Sequence, residues 1–349
     1  MKQHDCCGCR KGGFADVTKE ALRMSQRRLC VAHKNVKPQF YRVHLNFIKK
    51  QLPLRIFSNK FIFLLYMLRI AIQAKGRLSD ESLNLLHESG VKLSAGKRSL
   101  LIPSSTFPAE ILSLRDDDIP QAVADGIAGA GIVGENEFEE KKQNAEIVKR
   151  LGFSKCRLSL AIPKEEEYKS LSWFAGKKIA TSYPEILSGF LKKNAIKADI
   201  HLINGSVEIA PGIGLADAIF DIVSSGSTLL SNHLKEVEVV MQSEAILIAN
   251  KHLSKEDKAI LKELIFRMEA VQTAENKKYI LLNAPNEKLP EIFDILPGMR
   301  SPTVLPLAQE GWSSIHSVIS EKRFWEVIGK LKAAGAEGIL IIPIEKMII

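Results

Sequence analysis

From Leu68 onward the chain alternates short apolar runs with amphipathic stretches, and glycine, serine or charged residues close each run. Leu68–Gln73 reads as a buried strand, because its mostly apolar residues end at Ala74-Lys-Gly-Arg77, a glycine-containing turn. Ser79–Ser89 follows as a helix with Ser79 as its N-cap. Leu100–Pro103 predicts a strand, Asp117–Asp125 a helix opened by acids and Pro120, and Ala130–Gly134 another strand. A second unit begins near Arg157, with strands at Leu158–Ile162, Gly176–Thr181, Asp199–Leu202 and Ala218–Val223 and a helix at Tyr183–Lys193. Val237–Met241 and Ala245–Ala249 lead back, and Ser254 caps a long helix that runs to about Asn276. Strands alternating with helices in this way predict an α/β fold with helices on the faces of a sheet.

The last part of the chain changes order. Tyr279–Asn283 reads as a strand, Glu287–Leu296 as a helix, Thr303–Leu307 and Ser314–Ile319 as two strands, Lys322–Ala334 as a helix and Gly338–Ile344 as a strand. That β-α-β-β-α-β succession is the ferredoxin-like order, which by itself names no function.

The charge is unevenly placed. The whole chain carries a formal +9, but residues 1–66 hold 14 Lys and Arg against 3 Asp and Glu, so residues 67–349 are slightly acidic at −2. The basicity therefore belongs to an extension with scattered charges, no helical stripe and no nucleic-acid-binding module, and neither nucleic acid nor a membrane is expected as a partner. The apolar run Phe61–Tyr66 is interrupted by Arg69, too short for a membrane span. His4, Cys6, Cys7 and Cys9 lack the spacing and second ligand pair of a zinc site, and the opening lacks the apolar core of a signal peptide. Only Cys156 remains beyond Cys30, so the body has no disulfide framework and suits a reducing compartment, the cytoplasm. Met67 stands immediately before the first strand pattern, which makes it the expected natural start.

The most informative stretch is Leu215-Ala-Asp-Ala-Ile-Phe-Asp-Ile-Val-Ser-Ser-Gly-Ser-Thr-Leu229. A buried strand carries Asp221 near its end and runs into Ser224, Ser225, Gly226, Ser227 and Thr228. Successive backbone N–H groups at such a turn form an anion-binding concavity, a following helix start adds positive potential, and the hydroxyls donate further bonds. An N-cap would account for one serine, whereas redundant donors suit a phosphate. Asp221 can accept from vicinal sugar hydroxyls, so acid plus cradle fits a ribose 5-phosphate. Glu208, in Asn204-Gly-Ser-Val-Glu208, follows another strand and can face the same ligand. Lys75 and Arg77 lie past the first strand, at the usual ligand edge of an open α/β sheet, where they can neutralise a pyrophosphate or triphosphate. Arg115-Asp-Asp-Asp118 reads equally as a helix start or as part of the site. No catalytic triad, zinc-protease motif or Walker loop is present, and the GxG at Gly212 and Gly214 is too short to use.

Seven of these segments, in order, resemble the ATP phosphoribosyltransferase family: Leu68–Leu78, Arg115–Pro120, Gly131–Asn136, Cys156–Leu160, Ala180–Pro184, Asn204–Glu208 and Asp221–Leu229. Gly338–Met347 resembles the end of the long form, which carries a C-terminal regulatory domain. The resemblance covers about Met67–Met347; Ser225 and Ser227 replace the family's usual Thr and Ala in the hydroxyl loop. It implies a two-lobed core like the type II periplasmic binding proteins, with residues 67–160 and 243–275 in one lobe and 161–242 in the other. Residues 276–349 would be a ferredoxin-like (ACT-like) regulatory domain. It further implies transfer of phosphoribose from phosphoribosyl pyrophosphate to ATP with Mg²⁺, the first step of histidine biosynthesis. Feedback inhibition by histidine and assembly of dimers into hexamers come with it. Carried over by position, Ser224, Ser225, Gly226, Ser227 and Thr228 would hold the 5-phosphate. Asp221 and Glu208 would lie by the ribose, and Lys75, Gly76, Arg77, Asp116, Asp118 and Tyr183 by ATP and pyrophosphate; Asp221, Glu208 and Arg77 would serve catalysis. The Mg²⁺ ligands are not indicated. A two-lobed small-ligand sensor or idle regulatory subunit is the alternative; phosphate-directed donors and cations suit it less well than they suit the enzyme.

If translation starts at Met67, the intact mass of the product isolated from its native cells will correspond to residues 67–349. A mass that includes residues 1–66 would overturn that start.

Overall fold

A computed structural model of the chain describes residues 67–94, 100–296 and 301–349. The expected basic extension and its cysteine cluster lie outside them. The chain passes through β1 (Leu68–Gln73), α1 (Arg77–Glu88), β2 (Leu101–Pro103), β3 (Ala109–Leu114), α2 (Ile119–Ala124), β4 (Ala130–Gly134), α3 (Glu135–Lys141) and β5 (Ala145–Arg150). It continues with β6 (Cys156–Pro163), β7 (Lys178–Thr181), α4 (Pro184–Lys193), β8 (Asp199–Leu202), β9 (Ala218–Val223), α5 (Ser227–Ser231) and β10 (Leu234–Ser243). β11 (Ala245–Asn250) and α6 (Lys255–Ala274) lead to the last part, β12 (Lys277–Pro285), α7 (Leu289–Ile295), β13 (Thr303–Pro306), β14 (Trp312–Ser320), α8 (Glu321–Ala333) and β15 (Glu337–Pro343).

Three sheets form among the described residues, ordered β2-β3-β1-β4-β11-β5, β10-β6-β9-β7-β8 and β13-β14-β12-β15. In the first, β1 is parallel to β3 and β4, while β11 is antiparallel to both β4 and β5. The second repeats this scheme: β7 is parallel to β8 and β9, and β6 is antiparallel to β9 and β10. In both, the antiparallel insert is the strand the chain makes on arriving from the other sheet. The result is a two-lobed α/β core followed by a separate C-terminal domain of one antiparallel sheet and its helices.

Strand periodicity sets the packing of the first lobe. Leu68, Ile70 and Ile72 join a core with Leu264 and Met268 of α6, whereas Ala71 points the other way to Ile119 and Val123 of α2. In the C-terminal domain Ile280, Leu282 and Ile315 meet Ile292 of α7 and Val327 and Leu331 of α8. Ser254 Oγ accepts from Asp257 N at 3.0 Å, the expected cap of α6. No helix among the described residues is long and apolar enough to cross a membrane.

Several boundaries differ from the expected ones. Gly76, at φ +105°, turns directly into α1, so the helix starts at Arg77 and Ser79 is a buried residue of its first turn rather than its N-cap. The helix expected over Asp117–Asp125 is a 3₁₀ turn at Asp116–Asp118 followed by α2. The expected lobe boundary after residue 160 falls inside β6, which pairs with β9 and β10 along its length, so the crossing lies at residues 151–155.

Gly131 marks where α2 approaches the sheet most closely. A Cβ there would lie 2.7 Å from Ile119 Cγ2 and 2.9 Å from Val123 Cγ2. Gly131→Ala is expected to destabilise the protein by about 1–3 kcal/mol through overpacking, measured as a lower urea midpoint with unchanged slope. An unshifted midpoint would contradict the close packing.

Candidate active site

Each residue singled out from the sequence lies beyond or near the C-terminal end of a parallel strand. In the first lobe Lys75, Gly76 and Arg77 follow β1, and Asp116 and Asp118 follow β3. In the second, Tyr183 follows β7, Glu208 follows β8, and Asp221 with the hydroxyl loop closes β9. These are the ligand edges of open α/β sheets. Hydrogen bonds between α3 and the start of α4 show that the two edges face one another.

Asp221 is the electrostatic centre. Burial pushes its carboxyl up to about 6; the Ile222 N–H, which donates to Oδ1 at 2.8 Å, opposes the rise, and the charge of Glu208 adds to it. An acid of β9 and an acid of the turn after β8 therefore feel one another's charge. Tyr183 is buried beside them, its phenol pushed far up by burial, then by the Glu137 carboxylate, with Asp221 contributing. Its hydroxyl donates to Glu137 Oε1 at 2.8 Å. Glu137 is itself raised, chiefly by burial and further by Asp116. The Tyr183–Glu137 hydrogen bond thus joins the two lobes, and the charges of Asp116 and Asp221 act on its two partners from either side.

The hydroxyl loop is shaped by Gly226, whose φ of +79° is a conformation that favours glycine. Ser225 Oγ and Ser227 Oγ lie 3.0 Å apart, and Ser227 N donates weakly to Ser225 Oγ at 3.4 Å. Ser224, Ser225, Ser227 and Thr228 are exposed at the edge. The following helix α5 is one short turn, so donors in the loop, rather than a helix dipole, would do the binding. Arg157 fixes the loop from behind: Nη1 donates to the Ser224 carbonyl at 3.1 Å, while Nε and Nη2 each hold Glu236 at 2.6 Å.

The cationic side is looser. Lys75 is exposed, and Arg77 leans on Glu81 of its own helix at 3.6 Å. Neither contacts the hydroxyl loop among the described interactions. Arg77 is close enough to Cys156, at the start of β6, to oppose the rise that burial causes in the thiol. Gln73 Nε2 donates to Asp116 Oδ2 at 3.3 Å, whereas Asp118 is exposed. Asn136, Glu137, Glu140 and Arg157 were not among the expected site residues. The available signal was the i,i+3 spacing of Glu137 and Glu140 directly after a buried strand.

A curated ATP phosphoribosyltransferase from Azobacteroides pseudotrichonymphae is 75% identical over 283 residues, which is 81% of this chain and all of the relative. The chain belongs to the ATP phosphoribosyltransferase family. The family profile, described as HisG: ATP phosphoribosyltransferase, matches residues 115–270, and that of the HisG C-terminal domain matches residues 274–346. A Bacteroides fragilis ATP phosphoribosyltransferase is 71% identical over 283 residues, again 81% of this chain and 100% of the relative. Among solved structures, the ATP phosphoribosyl transferase (HisG:HisZ) complex from Thermotoga maritima superposes with a TM-score of 0.51 at 27% identity, covering 58% of this chain and 99% of that one. The ATP phosphoribosyltransferase resemblance read from the motifs is therefore a family membership, and both the catalytic core and the C-terminal domain take part in it.

Asp221 also sets a pH dependence. Its folded-state value near 6 is above its ordinary 3.8, so between those limits the folded state holds more protons than the unfolded one and stability falls as pH rises. Asp221→Asn should therefore gain on the wild type from pH 4 to pH 7, with the thermal midpoints of the ligand-free proteins diverging over that range. Parallel midpoints would show that the carboxylate is not desolvated.

Proposed function

We infer that the chain is an ATP phosphoribosyltransferase, a pentosyltransferase that opens histidine biosynthesis by converting ATP and phosphoribosyl pyrophosphate to N1-(5-phosphoribosyl)-ATP and pyrophosphate. One observation carries the assignment of roles: Asp221, a half-buried acid, sits on the strand that leads into the hydroxyl loop. In our reading Ser224, Ser225, Gly226, Ser227 and Thr228 hold the ribose 5-phosphate, since the site offers more N–H and O–H donors than a helix cap requires. The ribose hydroxyls then donate to Asp221 and Glu208, supplying the hydrogen bonds that a desolvated carboxylate lacks. Lys75, Gly76 and Arg77, from the opposite lobe, meet the pyrophosphate and the ATP phosphates, and Asp116, Asp118 and Tyr183 border that half of the cleft.

The reaction is a displacement at the anomeric carbon. A bond forms from adenine N1, the bond to pyrophosphate breaks, and positive charge develops on the ribose while negative charge develops on the leaving group. A neutral ring nitrogen needs no strong base, so the protein's work is to align N1 with the carbon and to stabilise the departing charge. Arg77 serves the second task; Asp221 and Glu208 serve the first by fixing the ring and place negative potential near the carbon. Mg²⁺ fits as an ion carried by the pyrophosphate. No group of three or more metal-ligating side chains occurs among the described residues, and Mg²⁺ commonly binds through substrate phosphates, water and one or two carboxylates. Asp221 and Glu208 are the carboxylates that would face it.

The sheet order β13-β14-β12-β15, all antiparallel, supports a ferredoxin-like (ACT-like) reading of the C-terminal domain, and the shared order of the two lobe sheets supports a type II periplasmic-binding-protein ancestry for the core. With that domain we assign feedback inhibition by histidine, assembly of dimers into hexamers, and a place in the cytoplasm.

Incubation with ATP, phosphoribosyl pyrophosphate and Mg²⁺ should yield N1-substituted adenine, followed by its absorbance. Asp221→Ala should lose at least about a hundredfold in turnover through misplaced substrate. Wild-type turnover in that variant would remove Asp221 from the site.

A further inference from the structure

Helix α4 begins without a cap of its own. Tyr183 occupies the N-cap position and makes no capping bond to the helix. The N–H groups of Glu185 and Ile186 instead donate to Oε1 and Oε2 of Glu140, at 2.9 and 3.0 Å. Glu140 belongs to α3, in the other lobe, and is only 9% exposed. A carboxylate from the first lobe thus caps a helix of the second with both oxygens.

The same face of α3 carries a second link. Glu137, three residues earlier, accepts from the Tyr183 hydroxyl at 2.8 Å, and Asn136 Nδ2 reaches that hydroxyl oxygen at 3.2 Å. Asn136 is held in turn by Ser243, whose Oγ donates to Asn136 Oδ1 at 2.8 Å and accepts from Asn136 N at 3.1 Å. Ser243 ends β10, where the chain recrosses between the lobes. At the rim Lys142 pairs with Glu185 at 2.7 Å, an exposed contact of little weight.

The two described helices that do have a side-chain N-cap take it locally. Ser254 caps α6 and Ser320 caps α8, each within its own segment and so indifferent to domain position. At α4 the acceptor comes from across the cleft, so the helix start is satisfied by protein only when the lobes keep this spacing. Water would have to replace both oxygens if the cleft opened. The burial of Glu140 and Tyr183 makes that replacement coupled to lobe separation rather than to local fraying.

We propose that Glu140, together with Glu137, is a positioning residue that holds the two lobes at the spacing where the Asp221 loop and the Lys75–Arg77 loop meet one pair of substrates. The proposal rests on the transferase reading and adds to it the residues that keep the cleft in its binding-competent form. Substrates bound between the lobes would pay for closure whenever this latch is absent, and apparent affinity falls by the fraction of molecules left closed.

Two measurements on the full chain test it. Glu140→Ala should raise KM for ATP at low phosphoribosyl pyrophosphate, and KM for phosphoribosyl pyrophosphate at low ATP, by about tenfold, while kcat with both saturating stays within about threefold, because closure is a shared cost of binding that a saturating co-substrate already meets. Glu140→Gln, which keeps one acceptor, should fall between Ala and wild type. In the absence of substrates, amide hydrogen exchange of the peptide containing Glu185 and Ile186 should be about tenfold faster in Glu140→Ala and should slow again with both substrates bound. A drop in kcat at unchanged KM, unaltered kinetics despite faster exchange, or unaltered exchange would each overturn the proposal. A wild-type chain without turnover would overturn the transferase reading itself, and the exchange rates would still decide whether Glu140 joins the lobes.

Discussion

The architecture depends on one strand that arrives late. β11 is buried at all six positions and pairs with β4 on one side and β5 on the other, although the whole second lobe separates it from both in the chain. Ala130 pairs with Ala249, so the middle of the first sheet cannot be completed until the second lobe has been made and the chain has returned. The second sheet has the reciprocal dependence: β6, which follows directly on β5, lies between β9 and β10. Two crossings close to each other fix both lobes about a common hinge. The C-terminal edges of the parallel strands are left as opposing walls, which is why residues scattered from Lys75 to Thr228 can act on one ligand.

Those walls are acidic where the predicted ligands are anionic, and the structure shows how the conflict is contained. Two of the described arginines are already engaged: Arg157 with Glu236, and Arg150 with Glu135 and with Glu244 at 3.4 Å. Long-range attraction is not available from a body that is close to neutral. In the proposed site, binding draws on short-range donors, the N–H and O–H groups of the hydroxyl loop and the exposed Lys75 and Arg77. Burial raises Asp221 and Glu137, and the Tyr183 hydroxyl already supplies one of them with a hydrogen bond.

Much of this frame was legible in the sequence because it rests on local signals. β1, β4, β9 and β11 are apolar runs bounded by glycine, serine or charge, and both Ser254 and the hydroxyl loop announce themselves by composition. β3 and β5 did not stand out, since Ala-Glu-Ile-Leu-Ser-Leu alternates imperfectly and Ala-Glu-Ile-Val-Lys-Arg is an edge strand with a charged, exposed face. The start of α1 was misplaced for a different reason. Ser79 has the chemistry of a cap, but the conformation that ends the turn belongs to Gly76, and backbone freedom outranks side-chain preference there. Asp221 and Glu208 could be named and set by one ligand from the sequence, but Glu137 and Glu140 could not, because their partners Tyr183, Glu185 and Ile186 belong to the other lobe.

Helix α3 shows the limit most sharply. Glu-Asn-Glu-Phe-Glu-Glu-Lys has one apolar residue and a density of charge that ordinarily marks a solvated surface helix, yet Glu135, Asn136 and Glu140 are buried. What buries Asn136 and Glu140 is not their own pattern but the arrival of another lobe, whereas Glu135 is covered from within the first. Arg150 covers Glu135, Ser243 takes Asn136, and the open N–H groups of α4 take Glu140. A buried carboxylate is tolerated when donors are already oriented for it, and the start of a helix is such a place, since its first amides have no partners within the helix. The acids of α3 are therefore complementary to an element nearly fifty residues further on, and only the tertiary structure pairs charge with donor.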